Sequence, residues 1–267
     1  DDAGNPAKAR TNVTRLIRKD RVSALIGSST SGASIAIGKL AKRHRVPLIS
    51  LGASYKIVFD GDLNRQQAWV FKTPQTDTMV VENLYTYMNQ KGIERLAILS
   101  STSGFGQSGR GQVMALADKY GINIVADEKH GKSDTDINAQ MINIKKANPQ
   151  AVLHFAIGSP AILSVRTWKA LDMEKIKFFH SHGFGSPKNL AMLGNDAEGV
   201  LFPLGNVNIP NLLPADHPQA NAIKAYHQAY TSKFNEPVSS FGGHAWDAFK
   251  MLEQAMANVG DDRDKIR

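Results

Sequence analysis

The chain contains no cysteine. Disulfide bridges and thiolate metal sites are therefore excluded. Stability must come from a packed core, and 267 residues suffice to build one or two. Absence of cysteine is compatible with an oxidising compartment. No apolar run reaches the roughly 18 residues that a membrane span needs, and no stretch has the pattern of a signal peptide. The G-x-S-x-G elbow, the P-loop and the H-E-x-x-H helix are also missing, so the nucleophile, nucleotide and zinc chemistries they carry have no sequence support. A dense basic block interleaved with aromatics is missing too. The formal net charge is +8, yet the basic residues are spread over predicted helix faces, as in Arg15, Arg18 and Lys19 or Lys39, Lys42 and Arg43. That distribution describes a solvated surface, and no nucleic-acid partner is expected.

What is present is an alternation. Val13, Leu16 and Ile17 have helical spacing, and Ala24–Ile26 follows as a short apolar run closed by Gly27. A helix is expected over Ala33–Arg43, then strands at Leu48-Ile49 and Val70-Phe71. The middle repeats the theme: a stripe at Val81, Leu84, Tyr85 and Met88, a strand at Leu96–Leu99, a stripe at Val113, Leu116, Ala117 and Tyr120, and a strand at Ile122–Ala126. Ile137, Met141 and Ile144 form a helix face, Ala151–Ala156 a strand, Ile162–Lys169 a helix and Phe178-Phe179 a strand, before a mainly helical tail. Short apolar strands between amphipathic helices predict an α/β protein built on doubly wound parallel sheets. In such sheets ligands bind beyond the carboxyl ends of the strands.

Two of those strand ends carry the same five letters. Ser28-Ser29-Thr30-Ser31-Gly32 follows Ala24–Ile26, and Ser100-Ser101-Thr102-Ser103-Gly104 follows Leu96–Leu99. A helix start offers free N–H groups and a partial positive charge, and Ser or Thr adds hydroxyls, which together suit a carboxylate or phosphate. The same residues also serve as plain helix caps. The second loop continues as Gly104-Phe105-Gly106-Gln107-Ser108-Gly109, a formal G-x-G-x-x-G, with Asp127 and Glu128 about twenty residues on, after the next strand. This spacing leaves an NAD(P)-dependent oxidoreductase as an alternative. His180 and His182 stand two apart at a strand end and so share a face, but no third ligand lies near them in sequence. No metal and no cofactor is expected.

Several stretches in order resemble the branched-chain amino-acid (Leu/Ile/Val) binding proteins of ABC importers, which have the type I periplasmic binding fold. They are Asp1-Asp2-Ala3-Gly4-Asn5-Pro6, Ala24–Ser34, Val46–Ser50, Val70–Pro74, Arg95–Leu99, Asp134–Asp136, Ile144–Val152 and Gly194–Val200. The resemblance implies two lobes joined by a hinge, residues 1–74 with 205–267 as the first and 75–204 as the second. It implies that the family's amino-terminal strand–helix–strand unit and carboxyl-terminal tail are absent, so the chain is expected to be a fragment with an incomplete first lobe. It also implies a non-enzymatic, extracytoplasmic solute-binding protein, monomeric, its signal peptide removed, with an ABC permease as partner. A sensor or regulator of the same fold is the other alternative. Position by position, Ser31 with its neighbours Ser29 and Thr30 falls where the family holds the ligand carboxylate. Ala53 and Ser54 fall on the loop that contacts carboxylate and amino group. Phe105 and Gly158 fall where aromatics are common, and His182 falls where amino-acid binders place an acid. A histidine cannot balance a buried ammonium, so the expected ligand is a small organic acid, aromatic or otherwise hydrophobic, without an α-amino group.

Overall fold

The computed structural model describes residues 1–59 and 66–267. The chain forms two compact units, Asp1–Thr78 with His244–Arg267, and Met79–Gly243.

The first unit opens with α1 (Pro6–Arg18). Asn5 caps it by accepting from the Ala7 and Lys8 amides, and Pro6 occupies the first turn, where its missing N–H costs nothing. Ala9, Val13 and Ile17, four apart, are its buried face. Then come β1 (Leu25–Ile26), α2 (Ser31–His44), β2 (Leu48–Ser50) and β3 (Val70–Lys72). The strands make a parallel sheet in the order β1-β2-β3. Its core joins the α1 face to Leu25, Ala33, Ile37, Ala41, Leu48 and Val70.

The second unit contains β4 (Arg95–Ser101), α4 (Gly104–Leu116), β5 (Asn123–His130), α5 (Asn138–Lys146), β6 (Ala151–Phe155), α6 (Ser159–Ala170), β7 (Lys177–His180), α7 (Pro187–Leu193), β8 (Val200–Leu201) and α8 (Ala220–Phe234). Helices α3 (Asp77–Gln90) and α9 (Ser240–Val259) straddle the two boundaries, and α10 (Arg263–Ile266) closes the chain. The parallel sheet has the order β5-β4-β6-β7-β8. Alternate residues of its strands serve opposite faces. Ala97, Leu99, Val152 and Phe178 pack with Met141, Ile144, Val165 and Trp168 of α5 and α6. On the α3 and α4 side, Tyr87 meets Phe179 edge-on, Tyr85 donates to the Val113 carbonyl, and Gly109 lies against Phe155.

Three details differ from the sequence reading. The stripe ending at Tyr120 is broken: α4 stops at Leu116 and Tyr120 lies in a 3-10 turn, still packed on Tyr85 with ring centroids 5.6 Å apart. The short strand β8 and helix α7 have too few residues to show a period. Residues 205–243 cluster with the second unit, where the sequence reading groups them with the first. A direct link is Asn208 Nδ2, which donates to the Gly185 carbonyl at 3.1 Å.

Candidate functional site

In the second unit the connection from β4 leads to β5 on one side, and the next strand, β6, lies on the other side of β4. The crevice beyond the carboxyl ends of β4 and β6 is therefore the topological switch point, where open α/β sheets bind ligands. Phe105 begins α4 just after β4, and Gly158 precedes α6 just after β6. Phe105 is buried, its ring 5.4 Å from that of Phe155 and 5.5 Å from that of His182, which meets it edge-on. The structure thus brings Phe105 and His182 together. Gly158 has φ +76 and ψ −152, a backbone that only glycine holds without strain, and a Cβ there would meet nothing within 4 Å. An aromatic side chain is thus excluded by the backbone, and the space it would fill is open.

In the first unit Thr30 caps α2, but its hydroxyl makes no cap bond. Thr30 Oγ1 is buried without a hydrogen-bond partner among the described residues. Ser31 Oγ accepts the Ser54 amide at 3.2 Å, and Ser54 Oγ accepts the Lys56 amide at 3.1 Å. Ser31 and Ser54 are thereby joined, both buried, while Ser29 is exposed. Beneath them Ser50 donates to Ser34, and Ser34 to the Ser28 carbonyl, each at 2.8 Å. The Ala53 carbonyl accepts from Lys72 Nζ at 2.9 Å.

Sequence reasoning missed two clusters of buried ionisable groups. In the first unit, Lys72 at the end of β3 also donates to the Pro74 carbonyl at 2.7 Å. Burial pulls its ammonium down to about 8, against the charge of Asp77, which holds it up. Asp77 accepts from the Tyr55 amide at 2.9 Å. Burial, and then the Lys72 charge, push His244 down to about 4.

In the second unit, three histidines stand at the carboxyl ends of three strands: His130 on β5, His154 on β6 and His180 on β7. His130 Nδ1 lies 2.7 Å from the Gly131 carbonyl, which only accepts, so that nitrogen carries a proton. His130 Nε2 lies 2.8 Å from His154 Nε2, and His154 Nδ1 lies 2.7 Å from the Ser164 hydroxyl, which donates to the Ala161 carbonyl at 2.9 Å. Burial, then the neighbouring His180 and His130, hold His154 well below the usual histidine range. His180 stacks on Phe184 with centroids 4.5 Å apart, and burial takes it down to about 3. Among the described residues no group of three or more His, Asp or Glu could hold a metal ion.

Gly104–Gly109 is not a phosphate-binding turn. These residues are the first turns of α4. The second and third glycines are explained by packing: a Cβ on Gly106 would lie 2.2 Å from the Ser101 carbonyl oxygen, and one on Gly109 would lie 2.0 Å from the Phe155 ring. Asp127 and Glu128 lie within β5, not after it. Asp127 takes a two-pronged ion pair from Arg110, whose Nε is 2.8 and 2.9 Å from the two carboxylate oxygens. The acid that would hold a ribose is therefore committed within the protein, and the oxidoreductase alternative is not favoured.

The family model described as periplasmic binding protein matches residues 1–267. The chain belongs to this family. Within it, the chain is 22% identical over 268 residues to the leucine-, isoleucine-, valine-, threonine- and alanine-binding protein of Pseudomonas aeruginosa, spanning all of this chain and 68% of that relative. Among solved structures it is similar to an extracellular ligand-binding receptor from Rhodopseudomonas palustris HaA2, with TM-score 0.91, 24% identity, and coverage of 100% of this chain and 76% of that one. It is also similar to an ABC-transporter solute-binding protein from Rhodopseudomonas palustris BisB5 in complex with 3,4-dihydroxybenzoic acid, with TM-score 0.82, 20% identity, and coverage of 100% and 71%. These likenesses bear out the type I periplasmic binding fold and the resemblance to Leu/Ile/Val-binding proteins. The similar proteins thus include one named for binding amino acids and one of the same fold in complex with 3,4-dihydroxybenzoic acid. No helix among the described residues is long and apolar enough to cross a membrane.

Proposed function

We propose that this chain is the extracytoplasmic solute-binding component of an ABC importer, monomeric and non-enzymatic, and that its ligand is a small organic acid with an aromatic or other hydrophobic body. The observation that carries the choice of ligand is the edge-on pair of Phe105 and His182 beside the open space at Gly158. An α-amino acid needs an anion for its ammonium, and a desolvated unpaired charge costs several kcal/mol. His182 is neutral or positive. An aromatic ring gains an apolar face on Phe105, and the space at Gly158 accommodates its bulk. The carboxylate end is assigned to the first unit, to the Thr30 hydroxyl and the α2 amino terminus together with Ser31, Ala53 and Ser54. Capture is by closure of two lobes, and the closed form is what the permease recognises. The benzoate complex of a relative supports the ligand class, and the amino-acid binder among the relatives supplies the competing outcome.

Calorimetry decides between them. Benzoate and 4-hydroxybenzoate are expected to bind at micromolar affinity or better, with leucine at least about 100-fold weaker, the cost of one poorly paired ammonium. Tight leucine binding with no heat from either benzoate would overturn the ligand assignment.

A further inference from the structure

The loop that carries Ala53 and Ser54 has no regular structure before its 3-10 turn at Tyr55–Ile57. Something outside the loop must therefore set its backbone. Three side chains do. Ser31 Oγ takes the Ser54 amide at 3.2 Å, Lys72 Nζ takes the Ala53 carbonyl at 2.9 Å, and Asp77 Oδ1 takes the Tyr55 amide at 2.9 Å. The last two have a second attachment. Lys72 also holds the Pro74 carbonyl at 2.7 Å, and Asp77 also accepts the Thr78 amide at 3.2 Å. Residues 74–78 are the end of the first unit's leading segment, where the chain leaves for the second unit. Opposite charges thus grip the loop at Ala53 and Tyr55 and the departing chain at Pro74 and Thr78.

We infer that Lys72 is a positioning residue for ligand binding: its ammonium, acting with Asp77, fixes the Ala53–Tyr55 loop in its anion-accepting shape and ties it to the segment leading out of the unit. The inference rests on the proposed site at Ala53 and Ser54. A neutral amine could donate at most two protons and would carry no charge toward Asp77. The charged form makes stronger bonds to both carbonyls. The titratable groups around the ammonium are Asp77 at the start of α3 and His244 in α9. His244, held down at about 4, stays neutral throughout the range in which Lys72, at about 8, loses its proton. A change in loop geometry at mildly alkaline pH is therefore assigned to Lys72. The donor also adds positive potential where the ligand carboxylate is proposed to lie, without itself contacting it.

Carbon-detected carbonyl NMR tests the clamp without any ligand. In the wild-type chain the Ala53 and Pro74 carbonyl shifts are expected to titrate together with a midpoint near that of the lysine. In Lys72→Arg, which keeps its charge, the low-pH shifts persist to about pH 9.5, and in Lys72→Met the transition is absent. Carbonyl shifts that stay flat in the wild type, or that titrate equally in Lys72→Met, overturn the inference. Benzoate is the probe for the consequence, since it has no group titrating in this range. Wild-type affinity is expected to fall about 10-fold between about pH 7 and about pH 9.5, the equivalent of about 1.4 kcal/mol. Lys72→Arg is expected to lose this dependence, and Lys72→Met to be weak at both pH values with an unchanged circular dichroism spectrum. Wild-type benzoate binding that is pH-independent also overturns the positioning role. If wild type binds no benzoate at all, the ligand assignment fails, and the carbonyl titration still decides the clamp.

Discussion

The two Ser-Ser-Thr-Ser-Gly loops are identical in letters and unlike in structure. In the second unit Ser100 and Ser101 are still strand, because β4 is hydrogen-bonded on both sides, Ser101 opposite His130 and Ser100 opposite Phe155. Ser103 is then the cap of α4, accepting the Gly106 amide at 3.1 Å and meeting Ser101 Oγ at 2.7 Å. In the first unit β1 has, among the described residues, only β2 as a neighbour and ends at Ile26. Gly27 turns the chain with φ +119, and the helix starts at Ser31, so Thr30 rather than Ser31 is the cap. The helix start has slid by one residue within the same five letters. The second loop spends its hydroxyl on capping its own helix. The first leaves Thr30 without a cap bond and Ser31 tied across to Ser54. Strand pairing, not the loop sequence, decides which serine caps and which hydroxyl is left over.

That contrast can be broken by experiment. The largest effect is expected at the packing under the second loop. Gly109→Ala drives a methyl into the Phe155 ring, and Gly106→Ala drives one into the Ser101 backbone. Each is expected to lower stability in urea unfolding by at least about 3 kcal/mol, the upper range for overpacking. Gly111→Ala in the same helix meets nothing within 4 Å and is expected to be neutral or stabilising by up to about 1 kcal/mol. Equal behaviour of Gly109 and Gly111 would show that the helix does not lie this close to the sheet.

Next in size is acid sensitivity. His154, His180 and His244 have folded-state values below the ordinary histidine value, to about 3 for His180 and about 4 for His244. Below the unfolded value of about 6.5 the unfolded chain binds protons that the native chain refuses, so stability is full above about pH 6.5 and falls as pH drops from there. A loss of a few kcal/mol by about pH 4 is expected in urea midpoints. His180→Phe should flatten part of that slope, and an unchanged slope would refute the assignment. Nitrogen-15 spectra of the imidazoles sharpen the same region: His154 should remain a neutral ring well below the usual histidine range. A doubly protonated His154 ring at about pH 5 would overturn that assignment.

The smallest stability effects separate the two loops most directly. Ser103→Ala removes a cap and is expected to cost about 1 kcal/mol without changing benzoate affinity. Thr30→Ala removes a buried hydroxyl that has no partner among the described residues, so stability should change by less than about 0.5 kcal/mol, while benzoate affinity falls about 10-fold. The reverse pattern would exchange the roles of the two loops.

By itself the sequence determined the class of the protein. Period and length of the apolar runs specify parallel α/β, because a strand buried on both faces reads as an unbroken apolar run and its helices as stripes. The succession of segments specified the family. The candidate residues Ser31 with Ser54, and Phe105 with His182, are neighbours in the structure as expected of residues at strand ends. What only the tertiary structure decided is what the remaining polar groups do. Lys72 and Asp77 look like ordinary surface charges in the sequence, and His130, His154 and His180 are spread over fifty residues. The histidines meet because strands adjacent in space are distant in the chain, and burial then keeps His154 and His180 neutral. The five shared letters are the clearest case: a helix starts where its strand's hydrogen bonds run out, and that depends on neighbours that no local stretch of sequence contains.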